Sequence, residues 1–349
     1  MKTFLLSALF IGLLLLLPAG DGRAQQGAPI GALRLPEMPL HDPYILAHEP
    51  SRTYYLYTSN IARMTGVEGV GTMVYKSKDL LNWEKPVPVF LVPDISFAGQ
   101  GAWAPEVHLY KGRYYLFTTL YNEKKVIKAD GPMGTFVRAT VIAVSDTPDG
   151  PFRMLDEKAA LTPADFMTLD GTLYVDRENK PWMVYAHEWV QKVDGTMEAI
   201  PLLPDFLGAA GAPIHLFKAS DAPWLNASIK PDARGLNYVT DGPQLFRTRD
   251  GHLLMLWSSY ENGVYVETVA RSKSGELAGP WEQLEPLVKG DSGHGMLFHS
   301  FEGQLMMVLH RPFKGARGKL YEMEDKGDRL EVVRQRTDLD GDAAPVAVK

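Results

Sequence analysis

Apolar and polar residues alternate in five stretches of the chain, and a short polar turn interrupts each stretch. In one of them a Lys111-Gly112 turn is followed by Tyr114-Tyr115-Leu116-Phe117. Alternation with a period of two is typical of strands, and a Gly- or Asn-containing turn between two such runs predicts a β-hairpin. The predicted hairpins span residues 42–59, 104–118, 170–185, 241–257 and 294–309.

A second sequence motif recurs between these hairpins and predicts the outer strands of the same repeat units. Examples are Tyr75-Lys76-Ser77 followed by Trp83, and Ala270-Arg271-Ser272 followed by Gly279-Pro280-Trp281. The units open roughly 50 to 70 residues apart, a period that indicates radial or stacked repeats. Helical periodicity with caps is almost absent, which disfavours a solenoid of helix pairs. We therefore predict an all-β fold, a five-bladed β-propeller.

The N-terminus has the pattern of a secretory signal peptide. Lys2 precedes an apolar run from Phe4 to Leu17, and a small-residue patch ends near Ala24. The run is short for a transmembrane helix, although a retained N-terminal anchor is the alternative. We predict a signal peptide at 1–24, a linker at 25–39 and the propeller at 40–349. The mature protein is then expected in the periplasm or outside the cell, without membrane contact.

Composition narrows the class of ligand. The 349 residues are 45% hydrophobic and 22% charged, with a net charge of -6 and no block of Lys or Arg, which argues against nucleic acid as a partner. The absence of Cys excludes a Cys-anchored lipoprotein and a disulfide scaffold. We expect a monomer that binds a neutral or weakly charged ligand.

The repeat brings distant acidic residues to one place. In a propeller the first strand of each blade lines the central channel, so equivalent positions face one another. A single Asp before Gly or Pro is a common turn residue, but three in the same repeat phase favour a functional cluster. The opening positions are Asp42, Ala104 with its neighbours Trp103 and Glu106, Asp170, Asp241 and His294.

Carboxylates gathered in this way suit glycoside hydrolysis. One carboxyl group kept protonated can act as general acid, while an ionised one activates water. An inverting enzyme holds the two groups about 6.5 to 9.5 Å apart, a separation that the mouth of a propeller can accommodate. A third acid would adjust the proton affinity of the general acid.

These residues resemble glycoside hydrolase family 43, which contains arabinofuranosidases, xylosidases and arabinanases. Asp42-Pro43 resembles the family's general-base segment, and Trp103-Ala104-Pro105-Glu106 resembles its second-blade signature. Asp170 is similar to the Asp that orients the acid and modulates its pKa. Gly293-His294-Gly295 resembles the last-blade histidine, which in some members lies near a channel calcium ion. The resemblance implies no required cofactor and leaves calcium near His294 open, with no other metal expected.

The general acid has two candidates. Where the family has Glu-Gly-Pro, this chain has Asp241-Gly242-Pro243, and the shorter side chain would place its carboxyl about 1.5 Å further from a leaving oxygen. Glu188, in a predicted loop after the third hairpin, is the second candidate. It could be the acid, contact a sugar hydroxyl or be an exposed loop residue.

The other predicted substrate-binding residues have structural alternatives. Trp103 could stack on a sugar or pack between blades. His294 could be a hydrogen-bonded channel residue or be linked to a metal. The predicted binding set also includes Glu106, which belongs to the opening of the second blade, and His187 and Trp189, which flank Glu188.

Three functions follow, in order. The leading hypothesis is an inverting glycosidase that cleaves α-L-arabinofuranosyl or β-D-xylosyl linkages in plant-type polysaccharides or oligosaccharides. The alternative is a non-catalytic glycan-binding propeller that has lost the Glu general acid. A glycoside phosphorylase ranks last, because it would need a cluster of Arg, Lys and His to hold phosphate.

Overall fold

The chain folds into five four-stranded antiparallel sheets, each with its strands in sequence order. The computed structural model describes residues 31–128, 134–226, 235 and 237–342, so the predicted signal peptide at 1–24 lies outside the described residues. The sheets are arranged radially as a five-bladed β-propeller, which confirms the predicted fold.

Every blade begins with the strand nearest the channel and ends with the outermost strand. Blade 1 contains β1 (Tyr44–His48), β2 (Thr53–Ser59), β3 (Gly71–Ser77) and β4 (Val87–Leu91). Blade 2 contains β5 (Gly101–Tyr110), β6 (Arg113–Lys128), β7 (Thr135–Ser145) and β8 (Arg153–Met154). Blade 3 contains β9 (Thr168–Val175), β10 (Pro181–His187), β11 (Thr196–Pro201) and β12 (Ile214–Lys218). Blade 4 contains β13 (Asp241–Arg247), β14 (Leu253–Glu261), β15 (Val264–Ser272) and β16 (Trp281–Gln283). Blade 5 contains β17 (Gly293–His299), β18 (Leu305–Arg311), β19 (Arg317–Asp325) and β20 (Leu330–Gln335).

Helices are short in the described part of the chain. They are α1 (Ala62–Thr65), α2 (Trp189–Lys192) and α3 (Thr337–Asp340), with 3-10 turns at Leu35–Glu37, Glu49–Ser51 and Ala219–Asp221. Across the described ranges, none combines the length and apolar character needed to cross a bilayer.

The core lies between neighbouring blades, so the middle strands bury both of their faces. In β14 the residues from Leu253 to Ser259 are all buried. An apolar cluster joins blade 1 to blade 5 and includes Tyr57, Met296 and Val308. Because a strand covered on both faces needs apolar side chains at consecutive positions, the inner hairpins are richer in aliphatic and aromatic residues than simple alternation requires.

The segment before the first blade packs onto the last one. Leu35 and Met38 are fully buried, and the Leu40 amide donates a hydrogen bond to the Ala316 carbonyl over 3.1 Å. Residues 31–39 therefore belong to the propeller rather than to the predicted linker, because their apolar side chains complete the core where blade 5 meets blade 1.

A left-handed residue marks the channel end of every blade. The φ angle is +46° at Asp42, +44° at Ala104, +53° at Asp170, +52° at Gly242 and +55° at His294. The strand register shifts at this point in blades 2 to 5, as a β-bulge requires, and such bulges redirect side chains. In blade 4 the equivalent position is Gly242, and Asp241 comes one residue before it. The prediction that Asp241 occupies the same repeat position as Asp42 and Asp170 is therefore wrong by one residue.

Candidate active site

A cavity of about 440 Å³ opens at the channel end of the blades. Five of the residues predicted for the site line it, namely Asp42, Trp103, Asp170, Glu188 and Asp241. The cavity therefore has four carboxyl groups in its wall. Its other lining residues are His41, Ser59, Arg138, Leu169 and Phe313.

Histidines surround the carboxylate of Asp42. His41 Nδ1 lies 3.0 Å and His294 Nδ1 lies 3.2 Å from Asp42 Oδ1, and the Asp42 amide donates to His310 Nδ1 over 3.2 Å. Burial alone would raise the pKa of Asp42, but His294 and His41 hold that pKa well below its ordinary value. Asp42 is therefore an ionised carboxylate, the state that a general base needs.

Asp170 and Asp241 face each other across the channel. Burial and the carboxylate of Asp241 raise the pKa of Asp170 well above its ordinary value. Gly242 donates its amide to Asp170 Oδ2 over 3.1 Å, and Tyr265 donates its hydroxyl to Asp241 Oδ2 over 2.5 Å. Asp170 is the protonated partner of this pair, because two carboxylates this close do not both ionise.

Glu188 lies between β10 and α2, where it is the N-cap residue of α2, and its side chain lines the cavity. Its side chain is 4% exposed, and its Oε1 forms an ion pair with Arg138. Glu188 Oε2 has no hydrogen-bond partner among the described residues. Burial raises the pKa of Glu188, and the Arg138 guanidinium opposes the rise. The prediction of a loop position is confirmed, but Glu188 is a buried cavity residue and not an exposed one.

Aromatic rings hold Arg138 in place. Its guanidinium carbon lies 4.8 Å from the centre of the Trp103 ring and 4.9 Å from that of Phe136. The hairpin of β6 and β7 extends far enough to carry Arg138 to the cavity. Trp103 therefore lines the cavity and packs against residues of its own blade rather than between blades, and stacking on a sugar stays a prediction.

His294 is buried and is not among the residues that line the cavity. Its amide donates to Ser258 Oγ over 2.7 Å, and Ser258 donates to Glu267 over 2.7 Å. A Cβ atom on Gly242 would lie 3.0 Å from the His294 ring. His294 is a buried channel residue that sets the charge environment of Asp42.

The donor atoms around His294 do not fit calcium. Asp170, Asp241 and His294 each offer one ligand atom within 4.8 Å of the others. Calcium takes six to eight oxygen ligands, and this set has two carboxylate oxygens and an imidazole nitrogen. The expectation of calcium near His294 is therefore not supported.

Three other predicted binding residues lie away from the cavity. Glu106 is buried and accepts a hydrogen bond from Thr172 over 2.6 Å. His187 is buried between Glu198 and Gln191, at 3.0 Å and 2.7 Å. Trp189 lies in α2 and is absent from the cavity wall. Glu106 and His187 lie in strands, where neighbouring side chains point to opposite faces of the sheet, so proximity in sequence to a cavity residue does not bring them into the cavity wall.

Several site residues were not predicted from the sequence. His41 is next to Asp42, which was a usable signal. Arg138 is a lone cation in the alternating run Phe136-Val137-Arg138-Ala139, a pattern that marks a charge on an otherwise apolar face. Phe313, 38% exposed at the cavity rim, has no sequence signal beyond the Pro before it.

The fold and these carboxyl groups define a glycoside hydrolase. The family model described as "Glycosyl hydrolases family 43" matches residues 37–329. The chain belongs to that family, as its motifs indicated.

Similar proteins include enzymes and solved structures. The chain is 38% identical to an endo-arabinase of Bacteroides thetaiotaomicron VPI-5482, with a TM-score of 0.75 and coverage of 85% of this chain and 98% of that one. A structure of an endo-1,4-β-xylanase from the same organism has 21% identity, a TM-score of 0.67 and coverage of 85% and 95%, and shows the fold alone.

A curated relative also matches. It is the extracellular endo-α-(1→5)-L-arabinanase 1 of Bacillus subtilis (strain 168), 25% identical over 191 residues. The match covers 50% of this chain and spans about half of that enzyme, 54% of its length.

Proposed function

We propose that this glycoside hydrolase cleaves α-1,5-linked L-arabinofuranosyl units of arabinan with inversion. The similarity to an endo-arabinase over nearly the whole of that enzyme supports the substrate class, and the match to an endo-α-(1→5)-L-arabinanase supports the linkage. An inverting mechanism agrees with the separate general base and general acid that the cavity offers.

The observation that carries the mechanism is the opposite charge state of two carboxyl groups in one cavity. Histidines keep Asp42 ionised, so it removes a proton from the attacking water. Burial favours the protonated form of Glu188, so it donates a proton to the leaving glycosidic oxygen. The free Oε2 of Glu188 is the atom that can hold this proton, because Oε1 is paired with Arg138.

Asp241 and Asp170 then have supporting roles. Asp170 and Tyr265 both donate hydrogen bonds to the carboxylate of Asp241. In this scheme the Asp241 carboxylate lies beside the sugar ring. A carboxylate in this position stabilises the positive charge that develops on the sugar ring in the transition state. Because Glu188 is the general acid in this scheme, the shorter side chain of Asp241 does not deprive the enzyme of a proton donor.

The decisive test is turnover with purified protein. We expect release of arabino-oligosaccharides from linear α-1,5-arabinan, and the first product seen by proton NMR should have the β-anomeric configuration. Hydrolysis of a nitrophenyl β-xyloside in preference to arabinan would contradict the substrate class. An α-anomer at early time would contradict the mechanism.

Two alternatives have less support. Binding of arabinan without any product would restore the non-catalytic hypothesis. A phosphorylase would need free cations for phosphate, whereas Arg138 is paired with Glu188 and His41 with Asp42 in the described part of this cavity wall. Release of a sugar phosphate only when phosphate is added would favour it.

Export is part of the proposal. The charged start, apolar run and small-residue patch of residues 1–24 support removal of this segment during secretion, and the mature enzyme is proposed to act as a monomer. The N-terminal sequence of the mature protein and its mass in solution test both points.

A further inference from the structure

A second cavity of about 220 Å³ adjoins the catalytic one. Arg138 lines both cavities, so its side chain forms the wall that they share. The rest of the second cavity comes from the β6–β7 hairpin, the loop before β9 and Phe97. The second cavity is therefore a neighbour of the catalytic one, separated from it by a single side chain.

The two cavities differ in charge. The catalytic cavity has four carboxyl groups, whereas no Asp or Glu is among the described residues that line the second cavity. Lys125 and Lys158 line it instead, and neither ammonium makes a hydrogen bond or ion pair with the described residues. Arg138 is already engaged by Glu188, so these two lysines are the free cations in the described wall of the second cavity.

The remaining wall is apolar and partly aromatic. Phe97, Phe166 and a run of small residues at 159–160 and 163–164 form it. At roughly 30 Å³ per water molecule, the volume holds about seven waters, which is the space of one sugar ring. Aromatic faces pack against the C–H face of such a ring, while a lysine ammonium donates hydrogen bonds and accepts none.

A neutral sugar satisfies this cavity poorly, because its hydroxyl groups also need acceptors. A carboxylate accepts hydrogen bonds from lysine ammonium groups and is a stronger partner for them than a neutral hydroxyl group. We propose that the second cavity binds a uronate, a sugar carrying a carboxylate, in the same glycan whose pentose linkage lies in the catalytic cavity. The inference rests on the proposed function for the identity of that linkage, but the uronate site itself can be measured separately.

The test compares one glycan in two forms. Pectic arabinan that retains its galacturonate units is assayed before and after chemical reduction of its carboxyl groups, which leaves the arabinofuranosyl linkages intact. For wild type we expect KM to be about tenfold lower with the acidic form, the size expected from one or two charged hydrogen bonds, with similar kcat. The double variant Lys125→Gln, Lys158→Gln should lose this difference and keep its activity on the reduced form.

A matched control separates a site from general charge. Lys85→Gln with Lys273→Gln removes the same charge from two exposed lysines that line neither cavity. This control should keep the wild-type preference. The inference is overturned if the control loses the preference as well, or if wild type has equal KM for the two forms.

Calorimetry with small probes identifies the ligand. D-Galacturonate should bind to wild type at least tenfold more tightly than D-galactose does, and the double lysine variant should lose that advantage. Equal or tighter binding of inorganic phosphate at the lysines would overturn the assignment to a sugar. If arabinan is not hydrolysed but galacturonate still binds through Lys125 and Lys158, the proposed function fails and the uronate site stands.

Discussion

Arg138 and Glu188 form a buried ion pair in the wall of the catalytic cavity. Arg138 lies on β7 in blade 2, and Glu188 follows β10 in blade 3. The pair therefore depends on the docking of two blades. Burial and the guanidinium act in opposite directions on the pKa of Glu188, so we expect this contact to set the pH range in which Glu188, the proposed acid, donates a proton.

Replacement of Arg138 by Gln should move the alkaline limb of the pH profile of kcat/KM to higher pH. The guanidinium favours ionised Glu188, so its removal lets burial raise the pKa further, and the acid stays protonated to higher pH. The measurement is kcat/KM on arabino-oligosaccharides across the pH range. Arg113→Gln, which removes the exposed partner of Asp146, is the control and should leave the limb in place. An unmoved limb in Arg138→Gln would assign the proton to another group.

Leaving-group dependence distinguishes the two candidate acids. Glu188→Ala should lower turnover of arabino-oligosaccharides by about 10² to 10⁴-fold and affect a nitrophenyl arabinofuranoside far less, because an activated phenol leaves with little protonation. Asp241→Ala should slow both substrates to a similar degree. If instead Asp241→Ala shows the leaving-group dependence and Glu188→Ala does not, the two roles are exchanged.

Replacement of Asp42 by Asn should lower turnover by about two orders of magnitude or more, while arabinan binding and the unfolding temperature stay close to wild type. The general base is lost, but the amide has the same shape. Steady-state kinetics, calorimetry and thermal unfolding provide the three readouts. Near-normal turnover would remove Asp42 from the mechanism.

The acid limb of the pH profile of wild-type activity is expected to depend on Asp42. Asp42 must be ionised to act, and its pKa is held well below the usual value, so activity should persist until the pH is below about 3.9, the ordinary pKa of Asp. A depressed pKa also contributes folding stability that is present above the unfolded-state pKa and is lost as the pH falls through the folded-state pKa. Loss of activity at clearly higher pH, with the fold intact by circular dichroism, would contradict this environment for Asp42.

Gly242 and Gly303 form a matched pair for a stability test. Both have positive φ, +52° and +83°, but a Cβ atom at Gly242 would lie 3.0 Å from the His294 ring, whereas nothing lies within 4 Å at Gly303. Alanine at either position should cost about 1–2 kcal/mol of unfolding free energy for the backbone alone. Gly242→Ala should cost more and also lower kcat, because it displaces His294 from Asp42. Equal effects in chemical denaturation and kinetics would show that this contact is unimportant.

The sequence by itself determined the fold and half of the site. Hairpins follow from alternation and turn residues that lie close together in the chain, so five repeats were enough to predict five blades. Asp42, Asp170, Asp241 and Trp103 were found because the repeat places the start of every blade at the channel. Glu188 was identified as a candidate acid, but its burial was not predicted from its neighbours.

Tertiary structure decided which side chains enter the cavity and in which charge state. The left-handed position at the channel end of blade 4 is Gly242, so Asp241 lies one residue before the position that Asp42 and Asp170 occupy in their blades. His41, Arg138 and Phe313 reach the cavity, whereas Glu106, His187 and Trp189 do not. A pKa depends on burial and on charges from other blades, as Arg138 affects Glu188 and His294 affects Asp42. Those distances exist only after the blades have closed into a ring, because the partners are far apart in the chain.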